Sequence, residues 1–184
     1  MKVSGFFRKS RTKICITNLR TLLWLGQSYS RDGKYREALR FYEKSYEKSK
    51  LEGSNTFDEA HRVGYVYWEN GYKEKAEYYF NEQLNYCNRA IELGRKYEQI
   101  FYSYYDLAAI YAFRGERDKA YQNLMIFNKK QMMPMWMVNL IKTDPLFNRI
   151  RNEPEFQQIV RDVESKYQAE HEKVRKWLEE QGRL

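Results

Sequence analysis

The chain has 184 residues with 33 basic and 25 acidic side chains, a formal charge of +8, 17% aromatic residues, nine Gly, three Pro and two Cys. That length suits one ordinary domain or a short repeat array, and so few turn formers with so many aromatics argue against a disordered or all-β chain. Two His and two Cys are too few for a structural zinc site, and a mean hydropathy of -0.89 without a long apolar run argues against a membrane-spanning helix.

The charge is unevenly placed. Residues 1–20 hold six basic side chains and no acid, whereas the other 164 residues carry 27 basic and 25 acidic groups. A basic arm over residues 1–16 is therefore expected ahead of a nearly neutral body. A nucleic-acid-binding fold would carry a basic stripe on its ordered surface, so nucleic acid is disfavoured as a partner of the body. The arm alone has the charge to touch phosphate or an anionic surface. No apolar stretch of signal-peptide length and no lipidation pattern opens the chain, which leads to an expected cytoplasmic location with Cys15 and Cys87 as reduced thiols. Cys87 falls on an apolar helical stripe and reads as a buried, inert thiol.

Three segments after the arm repeat one another without gaps. Leu25-Gly26-Gln27-Ser28-Tyr29 is followed by Gly33, Ala38 and Tyr42; Val63-Gly64-Tyr65-Val66-Tyr67 by Gly71, Ala76 and Phe80; Leu107-Ala108-Ala109-Ile110-Tyr111 by Gly115, Ala120 and Leu124. Small residues at 26, 64 and 108 permit close approach of two helices. Gly33, Gly71 and Gly115 stand where the first helix of each pair must end, a left-handed position that Gly occupies cheaply. Thr56 and Glu59 read as a capping box opening the second pair. The steps between repeats are 38 and 44 residues, and the stripe Ala76, Phe80, Leu84, Cys87, Ile91 predicts that the added length extends the second helices.

The spacing resembles that of the tetratricopeptide repeat (TPR), in which a small residue, a Tyr three positions on, and an Ala and aromatic on the second helix recur. The opening Trp of that pattern is replaced by Leu22, Ala60 and Tyr104, and its closing Pro by Lys50 in the first unit. The resemblance covers about residues 17–131 and implies an all-α, right-handed superhelix of helix-turn-helix repeats. Residues 132–184, which hold all three prolines, are expected to form a C-terminal helical cap. Pro134 opens a short helix through Ile141, Asp144-Pro145 and Glu153-Pro154 mark further starts, and a long helix runs from about Glu153 to Gln181. The stretch from Asp144 to Phe156 resembles closing segments of TPR arrays in bacterial signalling proteins. The four methionines between 132 and 137 read as adaptable packing around Trp136.

No catalytic constellation is legible: His61 and His171 lie far apart, and there is no phosphate loop or nucleophile motif, so the chain is read as a non-enzyme without cofactor or metal. The family resemblance implies that first helices line a concave face. Helical geometry then assigns Trp24 and Gln27 from the first unit, Arg62, Tyr65 and Trp68 from the second, and Tyr102, Tyr105, Asp106 and Phe113 from the third to an aromatic, peptide- or protein-binding trough. The Lys, Asn and Arg clamp with which some TPR domains hold an acidic chain terminus is matched here only at Arg62, so that activity is not expected. Two other readings stand beside the trough. One is nucleic-acid or anionic-surface binding through the arm; the other is a structural module of a larger signalling assembly that self-associates, as a homodimer, through the long last helix.

Overall fold

The computed structural model describes residues 18–52, 59–95 and 97–184. Among them every regular element is helical, with no strand. In chain order these are α1 (Leu19–Arg31), α2 (Tyr35–Leu51), α3 (Ala60–Glu69), α4 (Lys73–Glu92), α5 (Tyr97–Arg114), α6 (Arg117–Phe127), α7 (Met135–Thr143), a short 3-10 turn (Pro145–Phe147) and α8 (Pro154–Glu180). The chain divides into two compact units, Met1–Gln83 and Leu84–Leu184. The basic arm with Cys15, and Thr56 of the expected capping box, lie outside the described residues.

In the first unit, the Asn18 side chain caps α1 by accepting from the Arg20 backbone N–H at 2.9 Å. The helix ends at Gly33, whose φ is +72°. There the Lys34 N–H returns to the Tyr29 carbonyl at 2.9 Å, which closes the turn on the backbone alone. The same bond recurs from Tyr72 to Tyr67 at 2.9 Å after Gly71 and, in the second unit, from Glu116 to Tyr111 at 2.8 Å after Gly115. Gly71 and Gly115 have φ of +85° and +83°. All three are cheap for glycine and strained for an L side chain.

The helices of a pair then meet through their small residues. A Cβ added to Gly26 would stand 2.9 Å from the Tyr42 ring, and one added to Gly64 would stand 3.0 Å from both the Ala76 carbonyl oxygen and the Phe80 ring. Leu22, Ala38, Tyr42, Val63, Val66, Ala76 and Phe80 are buried and form the core of this unit. Glu59 does not cap α3 with its side chain. Instead the buried Gln83 side chain, reaching from α4, accepts from the Ala60 N–H at 3.0 Å, satisfying one of the donors that a helix start leaves open.

In the second unit, α5 and α6 pack as an antiparallel pair and α8 lies against α6 and α7. Phe127, Met133, Met137, Ile141, Phe147, Phe156 and Val160 fill the interior, with Phe147 and Phe156 ring centroids 5.1 Å apart. Asp144 begins a 3-10 turn rather than an α-helix, its Oδ1 accepting from the Leu146 N–H at 3.1 Å. The second helices α2 and α4 are long, at 17 and 20 residues, but α6 has only 11. Cys87 and Ala90 continue the buried stripe of α4, while Leu84 and Ile91 on the same stripe are half-buried.

Candidate functional site

The first unit places five of the expected residues on α1 and α3. Trp24 is 61% exposed, with the Arg20 guanidinium 5.7 Å from its ring centre. Helical spacing puts Arg20, Trp24, Gln27 and Arg31 on one side of α1. Gln27 is half-buried, and its amide donates to the Glu59 carboxylate just before α3. That bond ties the side of α1 bearing Trp24 to the start of the next helical pair. Arg62 and Trp68 are half-buried, and the Lys73 ammonium lies 5.2 Å from the Trp68 ring centre.

Tyr65 sits deeper than a trough residue should. It is buried, and Tyr35 packs edge-on against it with centroids 5.8 Å apart and hydroxyls 3.3 Å apart. Burial first, then the Tyr35 hydrogen bond and the nearby Glu69 carboxylate, push the Tyr65 phenol well above its ordinary range. The Asn70 amide completes this corner by donating to the Tyr35 carbonyl at 3.0 Å. Tyr65 therefore joins α3 to α2 and offers little area to a ligand.

In the second unit Tyr105 is a correction of the same kind. Assigned to an open face, it is only 1% exposed. Its ring lies between Phe127 and Phe147, at 5.3 and 5.4 Å, and its hydroxyl donates to the buried Asp144 Oδ2 at 3.0 Å. The segment after α7 covers this part of α5, so Tyr105 is a core residue of the unit. Asp106 and Phe113 are half-buried. Tyr102 is half-buried too, with the Lys130 ammonium 4.4 Å from its ring centre and 3.2 Å from its hydroxyl.

Against Tyr102 lies a residue not assigned to the site from sequence. Trp136 stands 5.3 Å from the Tyr102 ring and is 53% exposed, flanked by exposed Met132 and Met135. Of the four methionines expected to pack around Trp136, Met133 and Met137 are buried in the core, whereas Met132 and Met135 are exposed. The register of α7 held the clue. Met137, Val138 and Ile141 form its buried side, which leaves Met135 and Trp136 on the other.

The buried His61 is held well below its ordinary pKa, chiefly by desolvation and then by the Arg62 charge, with a Gln83 hydrogen bond opposing the shift. Among the described residues no three His, Cys, Asp or Glu side chains gather to hold a metal. None of the described helices is long and apolar enough to cross a membrane. No protein-family model matches the chain, and no curated protein or solved structure matches it significantly.

Proposed function

We propose that the chain is a non-catalytic protein-binding scaffold of TPR-like helical hairpins, and that the α1–α3 side of the first unit takes a peptide segment of its partner. The observation that carries this reading is Trp24, a large apolar side chain left 61% exposed beside an arginine. Trp and Arg are the residue types that dominate binding energy at protein interfaces. Trp68, Arg62 and the exposed Arg31 supply further anchors from the same unit. Three basic groups, Arg20, Arg31 and Arg62, favour an acidic peptide carrying an apolar anchor. The repeat reading is supported by the close approaches at Gly26 and Gly64 and by the identical left-handed turns after α1, α3 and α5.

Selection of 12-residue peptides from a displayed library on the intact chain, followed by calorimetric titration of the best binders, tests the assignment. Trp24→Ala and Trp68→Ala should each weaken a selected acidic peptide by more than about 1 kcal/mol, roughly fivefold. Selected peptides that bind both variants as tightly as the parent chain would remove the site from this face.

A further inference from the structure

The last buried residue of α8 is Val163; none of residues 164–184 is buried, although the helix continues to Glu180. About 17 residues, some 25 Å, thus extend past the last buried position of the helix. Their outer side is charged and internally paired: Arg175 bonds Glu172 and lies 3.5 Å from Glu179; at the edge of the other side Lys173 meets Glu170 at 2.6 Å. Their other side continues the stripe that the first half of the helix buries. Phe156, Val160, Val163, Tyr167, Glu170, Val174, Trp177 and Gln181 alternate at four and three residues, the period of a coiled-coil seam. In the extension this seam is uncovered, with Val174 55% and Trp177 52% exposed.

We propose that this seam pairs with the same seam of a second copy, antiparallel, to form a weak dimer. Charge and polarity select both the occupant and the direction. Laid antiparallel about a two-fold between residues 175 and 176, Val174 of each helix faces Trp177 of the other. The two polar seam positions, Glu170 and Gln181, then oppose one another, so an amide donor meets a carboxylate. The flanking Lys173 and Glu180 face each other across the seam twice, once on each side of the axis. A parallel pair would instead stack Glu170 on itself and set Lys173 against Leu178. A lipid surface is a poorer occupant, because residues 166–184 hold five basic and four acidic side chains, too balanced for attraction to anionic headgroups.

Sedimentation equilibrium of the intact chain at concentrations up to about 1 mM, the weak end of the affinity scale, tests this directly. A reversible monomer–dimer equilibrium is expected. Trp177→Glu should weaken it at least tenfold, with far-UV circular dichroism unchanged because the residue lies outside the core. Lys173→Glu should also weaken it several-fold, and adding Glu180→Lys to that variant should restore it, since the exchange recreates both cross-axis pairs. A chain that stays monomeric throughout overturns the proposal, as would occur if the seam serves a different protein. So does a dimer insensitive to Trp177→Glu, or a charge exchange that fails to rescue.

Discussion

Replacing Gly64 by Ala sets two effects of known sign against each other. In a helix interior Ala is favoured over Gly by about 1 kcal/mol. The added methyl, however, would sit 3.0 Å from the Ala76 carbonyl oxygen and 3.0 Å from two carbons of the Phe80 ring. Phe80 is fully buried, and the carbonyl belongs to the backbone of α4, so relief requires the two helices to separate. Overpacking of this kind costs about 1–3 kcal/mol, and the methyl should therefore lose by about 1 kcal/mol net. Gly26 offers the internal comparison, because its added methyl would meet only the Tyr42 side chain, at 2.9 to 3.0 Å. A ring can tilt where a carbonyl cannot, so Gly26→Ala should cost less than Gly64→Ala. Urea denaturation followed by circular dichroism reads both. With slopes of about 1–3 kcal/mol per molar, the Gly64 midpoint should fall by roughly 0.3–1 M. A Gly64→Ala chain as stable as the parent, or less affected than Gly26→Ala, would refute the claim that backbone contact sets the helix spacing there.

Three other outcomes are expected. Since folded His61 resists protonation until well below 6.5, the unfolded chain binds the extra proton in the interval beneath that value. Stability should then fall on acidification by up to about 1.4 kcal/mol per pH unit. His61→Gln should flatten this dependence, as measured by urea midpoints at several pH values. Tyr105→Phe removes the hydroxyl that reaches the buried Asp144 carboxylate and should cost about 1.5–3 kcal/mol; an unchanged thermal midpoint would show that the carboxylate does not depend on it. Trp24→Ala should alter stability by no more than about 0.5 kcal/mol, as a surface substitution does, so that any loss of peptide affinity in the same variant reports binding alone.

Local features were the most legible from sequence. Gly33, Gly71 and Gly115 could be read as left-handed helix ends because only one residue type fits that backbone cheaply, and all three adopt it. The close contacts at Gly26 and Gly64 and the burial of Cys87 follow equally from spacing along one helix. The site was less legible. A helical wheel tells which residues share a side, but not which distant segment lands on it. Tyr105 is covered by Asp144 and Phe147, about 40 residues further on, and Tyr65 by Tyr35 from the preceding pair. Neither partner carries a sequence signal that points to the other. Trp136 was obscured differently, since a run of methionines suggests packing whichever way the helix rotates.

The hairpin turns have a consequence for how such a chain can change. Each is closed by two peptide-to-peptide bonds, one from the glycine N–H and one from the next residue back to the carbonyl of Tyr29, Tyr67 or Tyr111, so its geometry is indifferent to most of the side chains around it and intolerant of any inserted residue. The joint is thus a part of fixed size. Length can vary only elsewhere, and it does: the arms that follow these joints run to 17, 20 and 11 residues. Growth or trimming at the far end of an arm alters the interval to the next joint while the hinge itself is copied unaltered, which separates the part that sets the angle from the part that sets the spacing.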